Sequence, residues 1–131
     1  MTEQNSPTND SSDAMEYAAK VAGFKSFHAY AESRHVLGGH VKGMLPSYLT
    51  AHAKYKIVEH LQQVGRADQR YLESLSLHGA NPNGPTALSE LRNSNTVVRN
   101  IRARAGQYQL APGVTLSSFA GQVLDRSTLD R

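Results

Sequence analysis

Cysteine is absent from the 131-residue sequence. Its absence excludes disulfides, thiolate zinc sites and cysteine nucleophiles together, and it is compatible with a reducing compartment. No apolar run approaches the roughly 20 residues that a membrane-spanning helix needs. The polar first dozen residues also lack the basic start and apolar centre of a signal peptide. We therefore predict a cytoplasmic protein without a membrane segment.

Catalytic and metal-binding motifs are also lacking. No G-x-S-x-G, H-E-x-x-H or dinucleotide-binding glycine pattern occurs. Of the six histidines, His52 and His60 lie eight residues apart on one predicted helix, which separates them by about 12 Å along the axis, too far to share one zinc ion. Only His35 and His40 could converge, and other segments would have to complete their site. We predict no enzyme, no metal and no other cofactor.

Acidic residues are scarce outside the N-terminus. The first 16 residues hold four acids and no base, which leaves 14 basic and 7 acidic side chains in the remainder, a balance of +7. From Arg92 to Leu124 there are four arginines and no acid. A basic body of this kind favours an anionic partner. The six tyrosines and three phenylalanines are spread along the chain, so they indicate no stacking platform for single-stranded nucleic acid.

Helical periodicity recurs along most of the chain, and the length is that of one domain. The sequence predicts an all-α fold, a single small domain of about five to seven short helices at 13–131. A disordered acidic tail is expected at 1–12, because that segment has too little apolar surface to offset the entropy of ordering it. The Asp13-to-Glu16 capping box should begin the first helix, and Gly23 should end it.

The predicted core helix runs from Leu49 to Val64, with Ala53, Ile57, Leu61 and Val64 on one inward stripe. A second helix follows at 66–77, with Tyr71, Leu72 and Leu75 inward. The segment 79–85, GANPNGP, is the clearest boundary, because its prolines and glycines interrupt regular structure. It is interpreted either as a hinge or as an ordinary surface loop. A last helix is expected after Thr115.

The segment Thr86–Gln107 is where pattern and charge agree best. Thr86 is expected to cap a short helix over 87–92, and Asn93-Ser94-Asn95 is expected to form a turn. A helix from Thr96 would then bury Val97, Val98, Ile101 and Ala105. This unit resembles the last two helices of a helix-turn-helix, although the first helix is short and the turn lacks the usual glycine. An ordinary helical hairpin with a solvated arginine face is the competing interpretation.

The opposite face of that helix provides the candidate site. Its amide, hydroxyl and guanidinium groups are those that reach base edges and phosphates in protein–DNA complexes. The candidate nucleic-acid-binding residues are Arg92, Thr96, Arg99, Asn100, Arg102, Arg104 and Gln107. Base-edge contacts are expected from Arg99, Asn100 and Gln107, with the remaining arginines on phosphates.

A second helix-turn-helix candidate lies near the N-terminus, where Gly23 separates two predicted helices. The run Gly23-Phe24-Lys25-Ser26, together with 43–47, resembles the closing half of the AraC-type DNA-binding domain. The distance from Gly23 to Pro46 is several residues too long for that family, and Glu32 stands where the family tends to place a base. We therefore do not assign the family and expect a packing role for this pair.

Two functional hypotheses follow. The first is a small helical nucleic-acid-binding protein, a regulator or accessory factor that contacts DNA through 86–107 and acts as a homodimer or with a second contact. The second is a protein-binding adaptor or inhibitor that uses the same arginine-bearing surface on a protein partner. Salt-dependent binding of duplex DNA distinguishes them.

Overall fold

The computed structural model describes residues 5–34, 45–75, 83–99 and 106–121. The fold is broadly all-α, as the sequence predicted, and it also contains a small antiparallel sheet that the sequence did not predict. The helices and strands are α1 (Asn5–Val21), α2 (Phe27–Arg34), α3 (Pro46–Val64), β1 (Ala67–Asp68), α4 (Gln69–Ser74), α5 (Asn83–Asn93), β2 (Val97–Arg99) and β3 (Gln107–Leu110). Residues 116–121 are also helical and are called α6.

Helix α1 begins at Asn5, so the predicted N-cap Asp13 lies inside the helix, which corrects that helix start. Pro7 falls in the first turn, where helices tolerate proline. The helix thus covers residues 5–12, most of the predicted tail, and residues 1–4 lie outside the described residues. The predicted end is confirmed: Gly23 has a φ of 100°, and the Phe24 N–H donates to the Ala19 carbonyl at 2.9 Å, as in a Schellman motif.

Helix α3 is central and packs against α1 and α5. Its predicted inward residues Ala53, Ile57 and Leu61 are buried. Val64 was predicted to be inward, but it is 52% exposed, because it is the last helical residue before Gly65 turns the chain away.

Within the described residues, no helix is long and apolar enough to cross a membrane.

Helix α4 is shorter than predicted, with six residues. Leu72 is fully buried and Leu75 packs against the same cluster. Tyr71 was also predicted to be inward, but its exposed fraction is 48%. A helix of fewer than two turns presents only a narrow face to its neighbours, and Leu72 occupies that face.

The sheet has the order β1-β3-β2, and both pairings are antiparallel. Tyr108, in the central strand, lies opposite Ala67 on one side and Arg99 on the other. Strand β2 corrects the largest prediction: Val97, Val98 and Arg99 are extended, not part of a helix from Thr96. Two adjacent β-branched valines suit a half-buried strand. Residues 100–105 lie outside the described residues.

Helix α5 also begins earlier than predicted, at Asn83. Thr86, the predicted N-cap, is therefore a helical residue, and the last part of the predicted hinge belongs to α5. Pro85 is compatible with this start because proline is accepted in the first turn of a helix. Residues 79–82 of the predicted hinge lie outside the described residues.

The buried side chains form two clusters. The N-terminal core joins α1, α2 and the first half of α3 around Tyr17, Tyr30, Tyr48 and Tyr55. The C-terminal core joins the second half of α3 to α4, α5 and the sheet, and its largest members are Ile57, Leu61, Leu72, Leu88, Leu91 and Tyr108. Leu116 and Phe119 of α6 pack against both cores, so α3 and α6 connect them.

Candidate nucleic-acid interface

Helix α5 is fixed in place by a narrow apolar face. Gly84, Ala87, Leu88 and Leu91 are buried and recur at helical spacing, so they form one stripe. They pack against α3 and α4. Gly84 makes the closest approach, because a Cβ built on it would lie 1.8 Å from the Glu73 carbonyl oxygen. Only glycine allows α5 to sit this close to α4.

The opposite face of α5 is polar and open to solvent. Thr86, Ser89 and Asn93 are exposed, and their spacing of three and four residues places them on one face. Hydroxyl and amide groups on an exposed helix are donors and acceptors suited to base edges in the major groove. We call these three residues the α5 face.

Two exposed arginines neighbour Tyr108 near the end of α5. The Arg92 guanidinium carbon lies 5.5 Å from the centroid of the Tyr108 ring, a cation–π distance. Arg99 stands directly opposite Tyr108 in the β2–β3 pairing, and directly opposed residues share one face of a sheet. Both arginines are exposed. The last turn of α5 thus places one cation over the Tyr108 ring, and the edge strand β2 places a second exposed arginine opposite Tyr108 in the sheet.

Tyr108 holds this junction together. Its side chain is completely buried, and its hydroxyl donates to the Gln69 side-chain oxygen at 3.4 Å. Gln69 is the first residue of α4, so the same tyrosine contacts α4, the last turn of α5 and β2. The positions of Arg92 and Arg99 relative to the α5 face therefore depend on the packing of one ring.

Two predicted site residues have their polar groups engaged within the fold. The Gln107 side-chain nitrogen donates to the Asp68 carboxylate at 2.8 Å, across the β1–β3 pair. The Thr96 hydroxyl is 2.9 Å from that of Ser94, and its backbone bonds both Leu91 and Ala111. These contacts give Thr96 and Gln107 a role in ending α5 and aligning the sheet.

The predicted site residues Asn100, Arg102 and Arg104 lie outside the described residues. Arg92 is in the last turn of α5, Thr96 lies in the turn that follows, and Arg99 and Gln107 belong to β2 and β3, so these residues do not share one helix as predicted. Ser89 and Asn93 were not predicted as site residues, and Thr86 was predicted only as an N-cap. Their signal was present in the sequence, because Leu88 and Leu91 alternate with exposed positions at helical spacing.

One acidic group lies beside the α5 face. Glu90 is partly exposed and forms an ion pair with Lys54 of α3. This pairing offsets the negative charge that Glu90 would otherwise present to an anionic partner. The interface therefore consists of a neutral polar helix face, two arginines at one end and a neutralised carboxylate at its margin.

The described residues contain no group of three or more histidine, aspartate or glutamate side chains that could hold a metal ion. Comparison of the chain with family models, curated proteins and solved structures gave no match. Any functional inference must therefore be drawn from the arrangement of the chain's own residues.

Proposed function

We propose that this chain is a small helical DNA-binding protein that reads duplex DNA with helix α5. The observation that carries the proposal is the division of α5 into a buried stripe and an exposed polar face, with Arg92 and Arg99 beside it. A helix of this kind fits the major groove, where side-chain amides and hydroxyls contact bases. The flanking guanidinium groups are placed to contact phosphates.

The order of elements supports this use of α5. Helices α4 and α5 pack together as the two helices of a helix-turn-helix, with α5 second, the position of the recognition helix. Their connection, 75–82, is longer than the usual turn of three or four residues. Strand β2, which we call the wing, follows α5 directly and lies at one edge of the three-stranded sheet.

The proposal differs from the sequence-based hypothesis in which segment reads bases. Thr86, Ser89 and Asn93 of the α5 face replace Asn100 and Gln107 as the expected base contacts. Arg92 retains its expected phosphate contact, and Arg99 becomes a phosphate contact from the wing. The protein remains a candidate regulator or accessory factor on DNA, and a homodimer remains the expected form because one helix rarely suffices.

The phosphate contacts are tested by the salt dependence of DNA affinity. Labelled duplex DNA would be titrated at several salt concentrations with the native chain and with Arg92→Ala plus Arg99→Ala. Removing two phosphate contacts should lower the slope of log affinity against log salt by about 2. The control, Lys25→Ala plus Arg34→Ala, removes the same charge from the α1–α2 region. If both double variants lower this slope equally, the change reflects net charge alone, and the assigned phosphate contacts are wrong.

The α5 face is tested by adding one negative charge. Ser89→Glu should weaken DNA binding at least tenfold, because a carboxylate in the groove faces base acceptors and phosphates. Gln63→Glu makes the same charge change on the exposed surface of α3 and should have little effect. If native protein does not bind DNA even at low salt, or if the two variants bind alike, α5 is not a reading helix.

A protein-binding adaptor is the second candidate, and one surface favours it. Val64 and Tyr71 are half exposed, and the Tyr71 ring lies 4.7 Å from the His60 ring. His60 and Val64 are one turn apart on α3, so these three side chains form a small apolar patch. A pull-down with native protein and with Tyr71→Ser tests it. The adaptor is favoured if the native protein captures a partner that Tyr71→Ser does not capture, and if the native protein does not bind DNA.

A further inference from the structure

A partly open cavity of about 280 Å³ lies between α1 and α3, and Glu90 of α5 contributes to its lining. Tyr17 and Val21 of α1 and Ala51 of α3 provide apolar walls, while Thr50, Lys54 and Glu90 provide polar groups. Ligand sites typically combine mostly apolar walls with a few placed polar groups, and their volumes begin near 300 Å³. This cavity has that composition and lies at the small end of the range.

The charges in the cavity indicate which ligand it would accept. Lys54 has a side-chain exposure of 26% and its ammonium is held by the Glu90 carboxylate. A carboxylate from a ligand could take the place of Glu90, because it offers the same acceptor to the same cation.

The cavity wall also carries two polar attachments of α5. The Asn83 side-chain nitrogen donates to the Thr50 hydroxyl at 2.7 Å, and Glu90 pairs with Lys54. Asn83 begins α5 and Glu90 lies in its second half. Thr50 and Lys54 both line the cavity. A ligand that engages them competes with two polar contacts that α5 makes with α3 in addition to its buried apolar stripe.

We propose that this cavity binds a small carboxylate with an apolar body, and that binding releases Glu90 and loosens α5. The ligand class is a single-ring or short-chain carboxylic acid, given the volume and the single cation. Binding itself is independent of the DNA-binding proposal. The consequence for DNA affinity rests on the proposed function, since α5 is the helix that would read DNA.

Ligand binding is tested by NMR titration without DNA. The probes are benzoate, phenylacetate and hexanoate, each compared with its neutral amide. We expect the carboxylates to shift the backbone resonances of Val21, Ala51 and Lys54 at concentrations at least tenfold lower than the amides do. If no carboxylate shifts these resonances, or if amides act equally well, the site is overturned.

Three variants test which charged side chains are responsible for carboxylate binding. Lys54→Met keeps an apolar stem and should abolish the preference for carboxylates. Lys56→Met is the matched control, because Lys56 pairs with Glu59 on the same helix and does not line the cavity. Glu90→Gln should tighten carboxylate binding at least threefold, because the competing group loses its charge. Equal binding by Lys54→Met and Lys56→Met, with circular dichroism showing both folded, would refute the assignment.

The link to α5 is measured with DNA. A saturating carboxylate should change the affinity of native protein for duplex DNA at least threefold and leave that of Lys54→Met unchanged. If the carboxylate binds but DNA affinity does not move, the coupling is wrong while the site stands. If native protein binds the carboxylate but never binds DNA, the proposed function fails and the ligand site does not.

Discussion

Gly84 is the residue on which the placement of α5 depends most directly. It lies in the first turn of that helix, and the atoms closest to its missing side chain belong to the Glu73 backbone. A backbone carbonyl cannot rotate away as a flexible side chain can. Any larger residue must therefore push α5 and α4 apart, and with them the polar face and the two arginines.

Two identical substitutions at helical glycines should have opposite effects. Gly84→Ala should destabilise the protein by about 3 kcal/mol, the upper end of the usual cost of overpacking. Gly121→Ala, in α6, meets nothing within 4 Å and should stabilise by up to about 1 kcal/mol, because alanine is the better helix former. Urea denaturation of both variants measures the difference. Equal free energies of unfolding would show that α5 does not pack this closely against α4.

The end of α5 explains why the sequence misplaced the following element. The turn Asn93-Ser94-Asn95 was predicted to precede a helix from Thr96, and asparagine in its last positions is favoured as the N-cap of such a helix. Asparagine is also accepted in the left-handed conformation that ends a helix, and Asn95 has a φ of 62°. The Thr96 N–H donates to the Leu91 carbonyl and the Asn95 N–H to the Arg92 carbonyl, which completes a Schellman motif. The chain then leaves as a strand.

Substitution of Asn95 tests this helix end. Asn95→Gly should stabilise by up to about 1 kcal/mol, because glycine adopts positive φ without steric cost. Asn95→Ala should destabilise by roughly 1 kcal/mol, because a Cβ is unfavourable in the left-handed region. If Asn95 instead capped a following helix, alanine would still cost stability, but glycine would bring no gain over asparagine. Chemical denaturation of the three proteins distinguishes the two cases.

Periodicity over long segments was sufficient to predict the helices but not the sheet. The inward residues of α3 were predicted correctly because its pattern repeats over 19 residues, enough to separate a 3.6-residue period from a two-residue one. Strands β1 and β2 have two and three residues, too few to show any period. Their pairing with β3 joins segments about 40 residues apart or across 100–106, and no local pattern contains that information.

The candidate site was predicted in part for the same reason. The arginine-rich segment was recognised from composition, which does not depend on conformation. The positions of these residues depend on Tyr108, since Arg92 of α5 lies over its ring and Arg99 of β2 is paired with it in the sheet. The sequence places those two arginines seven positions apart, and only the turn at Asn95 and the strand pairing make both of them neighbours of Tyr108.

On the scale of the whole molecule, two cores share one central helix. Tyr17, Tyr30 and Tyr48 surround the N-terminal core, and Tyr108 lies in the C-terminal core. Helix α3 contributes buried residues to both along its length, so neither core can lose it and remain packed. This arrangement favours a single cooperative unfolding transition. The cavity beside Lys54 adjoins α1, α3 and α5, so it contacts elements of both cores.

Phe119 provides the test of that cooperativity. Its ring packs against both cores and lies 5.3 Å from the Tyr17 ring. Phe119→Ala should cost about 2–4 kcal/mol, near the lower part of the range for deleting a phenylalanine from a core, because Phe119 is only partly buried. The ring resonances of Tyr48 and Tyr108 should report the same unfolding midpoint in native protein. In the variant, both midpoints should be lowered by the same amount.

Phe24→Ala is the control for this experiment, because Phe24 packs against the N-terminal core alone. In a single cooperative unit, its loss must lower the midpoint of Tyr108 as much as that of Tyr48, although Tyr108 is in the other core. If the Phe24 variant shifts Tyr48 alone, the two cores unfold separately. Contacts of α3 and α6 would then be too weak to transmit a change at the N-terminal helices to α5.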